Sequence, residues 1–383
     1  MIFYQLMVFI LLGIVVFIPV QIDVRVNYII WILALILLPV FVKNFLSDIK
    51  SKNPITIFFL LFLLASALST IFSIDQKRSL LTFFTYVSYF IIFTSIRTIF
   101  PSLKSKYLLT TSYILLTTIL SIISLYKTLI GNYVNRETEG VSFMWMYYGH
   151  NHLSALLIFA VPISLYFLKV NWDNLKLRIL LLVTCYLLLL SLFFTFGLSS
   201  MISLALTFLI VILLFRKSLN VRIPIIAVLI TVSLFAIFSL TVFSTIKEAK
   251  GIGIRKNSPG SMQARLIYWQ NAFDNFVSRP LIGSGLDTFR IINRTSKRKL
   301  PLGSYYAHNY FLQMLSDAGI LGFASTILFI FSVIWESFKK IKMRLFYLAI
   351  WTGLFASIIN TFFDFDWQMP TVFLIFWLFA AIL

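Results

Sequence analysis

Apolar residues run through this chain in blocks of about twenty, broken by short polar stretches, from the first residues to the last. A bilayer core needs roughly 20 apolar residues per helical span, and blocks of that length predict helices near 2–20, 28–42, 55–74, 80–96, 108–130, 150–168, 178–196, 198–215, 223–243, 308–335, 345–362 and 368–383. The expected fold is all-α and polytopic, with about twelve transmembrane helices. The seventh and eighth are separated only by Gly197, Leu198, Ser199 and Ser200, read as a tight turn. The first block lacks a basic leading region and a small-residue cleavage site, so a retained helix is expected there rather than a removed signal peptide.

Composition agrees with the pattern. Hydrophobic residues make up 60% of the 383 and charged residues 12%, more apolar side chain than one soluble core can hide. The single cysteine, Cys185, lies inside an apolar run, which leaves it no disulfide partner and points to packing.

The formal charge of +19 has no soluble basic domain to carry it, so nucleic acid is not expected as a partner. Its distribution sets orientation, because Lys and Arg beside short loops stay cytoplasmic. With the N-terminus inside, the inner loops hold sixteen basic residues, among them Lys43, Arg97, Lys106 and Lys340; the short outer loops hold Arg25, Lys77, Arg78, Lys127 and Arg136. The division expected is 1–243 for helices one to nine, 244–307 for a large periplasmic loop between helices nine and ten, and 308–383 for the last three helices. That loop carries eleven basic residues against Glu248, Asp274 and Asp287, a net +8, which calls for an anionic partner. Within it, 262–278 reads as an amphipathic helix with Leu266, Trp269, Phe273 and Phe276 on one face, lying on the membrane or capping the bundle.

Three clusters could carry chemistry. His308 and Asn309 stand at the entrance to the tenth span, with Gly319 and Gly322 within it. A histidine there can exchange protons near neutral pH, although an interfacial histidine bonded to a loop would look the same, as would glycines that only permit close helix packing. Arg265 and Trp269 are four apart and share a face. The arginine's fork suits a pyrophosphate, and a snorkelling arginine is the plainer alternative. The outer loop before the sixth span holds Arg136, His150, Asn151 and His152. The histidines are two apart and point away from each other on a helix, so no metal site is expected; Arg136 and Asn151 read as polar groups facing a cavity. Charges inside spans are almost confined to Asp317, with Asp364 and Asp366 in the last outer loop, which weakens ion-coupled transport.

These segments resemble the O-antigen ligase and polymerase superfamily of lipid-linked glycan transferases. The segment with His308, Asn309, Gly319 and Gly322 fits the ligase pattern, and Arg265, Trp269, Ala272, Pro280, Gly283, Gly285 and Phe289 follow the family's spacing upstream. The chain departs from it at Ser199 and Ser200, where the family often has a Ser-Arg pair. The resemblance implies transfer of a glycan from undecaprenyl pyrophosphate to an acceptor hydroxyl, lipid A core or another glycan, at the periplasmic face of a bacterial inner membrane, without cofactor or metal. It implies His308 and Arg265 as the catalytic pair, with Arg136, Asn151, Trp269, Arg290, Arg294 and Asn309 binding substrate. The alternatives are a polymerase of the same superfamily and, from another class, a lipid-linked glycan flippase.

Overall fold

The computed structural model describes residues 1–18, 24–130, 150–195, 197–219, 261–298, 303–341 and 344–383. All regular structure among them is helical. The helices are α1 (Ile2–Phe17), α2 (Val24–Lys50), α3 (Pro54–Ile71), α4 (Gln76–Ile99), α5 (Leu103–Ile130), α6 (His150–Val170), α7 (Leu175–Phe194), α8 (Leu198–Leu219), α9 (Ser261–Ser278), α10 (Phe289–Thr295), α11 (Tyr310–Ile341), α12 (Leu345–Asn360) and α13 (Pro370–Ile382). A 3-10 turn, Asp366–Gln368, precedes α13. Eight of the described helices, α2 to α8 and α11, are long and apolar enough to cross a membrane, and α1, α12 and α13 are apolar but shorter. The chain is therefore a multi-pass membrane protein. The expected ninth span and Arg136 lie outside the described residues.

Local chemistry starts the helices where hydropathy alone leaves the ends vague. Asn53 caps α3 by accepting from the Ile55 and Thr56 amides at 3.0 and 3.4 Å, ahead of Pro54. Asp75 caps α4 through the Arg78 amide at 3.1 Å. α2 runs well past the predicted 28–42. Its polar C-terminal turns are stabilised by partners on α4: Asn44 donates to the Thr94 carbonyl at 3.3 Å, and Asp48 meets Arg97 at 2.6 Å.

The chain forms two compact units, the first made of Met1–Ser112, Pro259–Tyr347 and Thr361–Leu383, the second of Tyr113–Ser258 and Leu348–Asn360. In the first, α3 packs on α11 and α4, α2 on α4, and α13 on α4. Its interior is aromatic: Trp377 stacks on Phe59 with centroids 4.3 Å apart and meets Phe329 at 4.8 Å. Outward-facing Leu35 and Leu64 are more than half exposed, as lipid-facing side chains would be.

In the second unit, α6 packs on α7 and α8. The predicted turn at 197–200 is a true break, α7 ending at Phe194 and α8 starting at Leu198. A Cβ on Gly197 would lie 2.3 Å from Ser154 Oγ, so glycine is what lets the turn approach α6. Ser200 is buried and takes part in hydroxyl bonds with Ser154 at 2.8 Å and Asn360 at 3.4 Å. Cys185 is buried, its thiol donating to Ser164 Oγ at 3.4 Å.

The element that shapes the first unit most is the break in α11. Gly319 has φ +63 and ψ −162, a conformation only glycine adopts at little cost. The backbone groups freed there are met by the returning segment 280–285. Ser284 N donates to Ser316 O at 3.1 Å and Gly285 N to Asp317 O at 2.9 Å, while Ile320 N and Leu321 N donate to Pro280 O and Leu281 O at 2.8 and 3.3 Å. The approach is so close that a Cβ on Gly319 would lie 2.4 Å from Leu281 backbone, and one on Gly283 equally close to Asp317 backbone. Gly319 thus serves a backbone-to-backbone junction, whereas a Cβ on Gly322 would meet the side chain of Ala318. Irregular backbone within a membrane bundle persists only when protein satisfies its polar groups in this way.

Candidate functional site

α9 lies on α11 with Tyr268, Asn271, Ala272 and Asn275 buried, a face at helical spacing. Leu266 and Phe273 of the predicted apolar face are instead about half exposed. Both faces are partly apolar, and the one that packs on protein is the one with Asn275, which donates to Ser316 O at 2.8 Å and to Ser284 Oγ at 3.0 Å. This seating presents Arg265 and Trp269 toward the start of α11.

Asn309 caps α11: its Oδ1 accepts from the Leu312 amide at 3.0 Å, and its Nδ2 donates to the Phe362 carbonyl at 3.0 Å. Tyr310 N donates to Thr361 O at 2.9 Å. The segment that follows α12 is thereby fastened against the entrance of α11, which brings Asp364 to His308. His308 Nδ1 is 3.5 Å from Asp364 Oδ1. His308 also has φ +53, a left-handed conformation that costs a non-glycine residue about 1 kcal/mol or more. Its imidazole lies parallel to the Tyr268 ring at 5.9 Å and edge-on to Phe365 at 4.5 Å, and Trp269 Nε1 donates to its carbonyl at 3.4 Å.

Arg265 converges on the same carboxylate. Its Nη1 donates to Phe363 O at 2.7 Å, and its Nη2 is 3.6 Å from Asp364 Oδ2. The Asp364 side chain is fully buried, while those of His308 and Arg265 keep 21% exposure each. Burial by itself would raise the Asp364 carboxyl, but bonding to His308 and the charge of Arg265 hold it below its ordinary value. The result is a buried anion that orients two partly exposed groups, one able to carry a proton and one permanently cationic.

Arg290 and Arg294 both lie on α10, with guanidinium carbons 5.8 and 5.7 Å from the Tyr305 ring centre. α10 is tied to α9 through Asn271, which donates to Asn293 at 2.9 Å. Asn151 stands at the start of α6 in the other compact unit, its carbonyl accepting from Ser154 Oγ at 2.7 Å.

Asp364 was legible only as an acid in an apolar loop, and Arg78 only as a loop charge. Arg78 Nε is 2.8 Å from Asp287 Oδ2 and donates to the Asp287 carbonyl at 2.8 Å. Burial raises the Asp287 carboxyl, against the pull of Arg78. Both line a cavity of about 170 Å³ together with Trp31, Tyr86 and Tyr306. Tyr306 stacks at 4.9 Å on Phe365, the ring that edges His308, so the cavity adjoins the histidine across two rings. Behind it, Asp317 Oδ2 accepts from Gln313 Nε2 at 2.8 Å and the Asp287 amide at 3.0 Å, which makes Asp317 a brace for the loop. Among the described residues no three histidine, cysteine or acidic side chains gather as a metal site.

No curated protein matches the chain. Residues 180–327, a stretch that contains Arg265, Trp269, His308, Asn309 and Gly319 but stops short of Asp364, match the O-antigen ligase family, and the match supports a place in the O-antigen ligase superfamily.

Proposed function

We propose that this protein is an O-antigen ligase-like glycosyltransferase, moving a glycan from undecaprenyl pyrophosphate to an acceptor hydroxyl, lipid A core in the first instance, at the periplasmic face of the inner membrane. The family match supports a lipid-linked glycan transferase of the ligase and polymerase type in general. The observation that carries the finer reading is the convergence of His308 and Arg265 on the buried Asp364.

In this reading Asp364 holds the imidazole through Nδ1, which leaves Nε2 to accept the proton of the attacking hydroxyl. The acceptor oxygen bonds to the anomeric carbon as the bond from that carbon to the pyrophosphate oxygen breaks. Undecaprenyl pyrophosphate departs with the electron pair, and the proton passes from His308 to solvent. Arg265, fixed by Phe363 and Asp364, aims its remaining donors at the charge growing on the leaving group without reorganising. Arg290 and Arg294 supply further contacts to the donor, Trp269 and Asn309 hold the entrance, and no metal or cofactor is required.

The test is transfer by the purified chain in liposomes, given the lipid-linked glycan with and without lipid A core. Product on lipid A alone is expected. Elongation of the lipid-linked glycan without lipid A would make the protein a polymerase, and donor bound but never turned over would make it a flippase.

A further inference from the structure

The end of the first unit opposite His308 holds a second cavity, of about 300 Å³, lined by Asn44, Asp48, Arg97, Lys106 and Lys340 among others. It lies where α2, α4, α11 and α13 end and α5 begins. Lys340 lies at the far end of α11 from His308, and the part of that helix beyond the break at Gly319 is alone about 30 Å long at 1.5 Å per residue. The cavity is therefore separate from the site above, and nothing about it depends on the transferase reading.

Its charges do not balance. Asp48 is the one acid in its lining, and it is already engaged by Arg97 at 2.6 Å and by the Thr56 hydroxyl at 2.7 Å. Among the described residues Lys106 Nζ finds a neutral partner, donating to the Tyr347 hydroxyl at 3.3 Å with the ring centre 5.0 Å away. Lys340 is exposed at the rim. Among the described residues neither lysine has a carboxylate within ion-pair distance. Two ammonium groups and a guanidinium thus face one polar cavity, with one carboxylate between them. Like charges held together cost free energy unless an anion joins them.

We propose that this cavity binds a phosphate group, its physiological source being the headgroup of an anionic phospholipid. A basic recess among the ends of membrane helices is where such headgroups dock, and the volume is at the small end of ligand sites. Lys106 and Lys340 take the phosphate oxygens as point charges. Arg97, held on Asp48 and 5.9 Å from the Phe93 ring centre, adds charge without moving. Asn44 and Thr94 are bonded to each other across the wall and fix its shape.

The experiment uses the full chain in detergent, with binding read by native mass spectrometry and thermal shift. The probes are short-chain phosphatidylglycerol, phosphatidylcholine of the same chain length, and inorganic phosphate. Saturable binding of phosphatidylglycerol over phosphatidylcholine is expected, weakened about fivefold by Lys106→Gln and about as much again by Lys340→Gln. Lys106→Arg keeps the charge and retains binding; Lys50→Gln removes an equal charge from the same end and leaves affinity unchanged. Binding of inorganic phosphate alone, with the same loss in the two glutamine variants, would support the site and assign it to the soluble anion. Equal binding of the two lipids without phosphate binding, or affinities that the glutamine variants do not alter, would overturn the proposal.

Discussion

The two ends of α11 use positive charge in opposite ways. At the start, Arg265 and His308 share one fully buried carboxylate, Asp364, and their directions are set by it. At the other end, Asp48 is taken by Arg97, and Lys106 and Lys340 have no acid of their own among the described residues. A cation with a buried counter-ion is held in place and can act on a reacting atom, whereas a cation without one is a standing attraction for an anion from outside. Between the two lies Gly319, where the helix stops being a helix.

Changes at the first end test whether charge there is placed for chemistry. Replacing His308 by Ala removes the proposed base, and transfer falls about 10²–10⁴-fold, a far larger loss than any drop in melting temperature from removing one partner of the buried Asp364. Activity near the native level in a folded variant would end that role. At the division between the ends, Gly319→Ala forces a Cβ into the Leu281 backbone and costs about 3 kcal/mol or more, seen as a large drop in thermal midpoint or as failure to purify folded. Asp364→Asn keeps the shape and removes the charge, so His308 and Arg265 lose their guide and the rate falls about 10–100-fold, with donor binding less affected. Arg265→Lys, which retains charge but not the two-pronged hold on Phe363 and Asp364, lowers the rate about tenfold.

The smallest expected effect is in acid. The folded Asp364 carboxyl sits below its ordinary value, so its contribution to stability is present above about pH 4 and is lost as pH falls through the folded value. The stability gap between the native protein and Asp364→Asn should be flat from neutral pH to mildly acid and close only below that range, as followed by thermal unfolding at stepped pH.

Much of the helical layout was open to reading because lipid imposes one strong rule, and long apolar blocks obey it: α3, α4, α7 and α8 lie within a few residues of their expected spans. α2 was read short because hydropathy ends where Asn44 and Asp48 begin, and their partners on α4 are invisible in a local window. The seating of α9 was out of reach for a related reason. Leu266 and Phe273 satisfy lipid as well as a core, so periodicity alone does not say which face meets protein, and the buried Asn271 and Asn275 find their partners on other segments. His308 and Arg265 could be singled out by residue type and spacing. Asp364, which joins them, could not be, because it is brought in by the capping of α11 by Asn309 from a loop far along the chain.

The junction at Gly319 also constrains the order in which the molecule can assemble. Ser316 and Asp317 present carbonyls that their own helix does not bond, and the amides that meet them belong to Ser284 and Gly285, which leave the ribosome first. Segment 280–285 must still be loose when α11 enters the bundle, and must be captured by it as it inserts. Variants that stiffen or shorten that segment would therefore be expected to lower the yield of correctly inserted protein, even where the finished bundle could accommodate them.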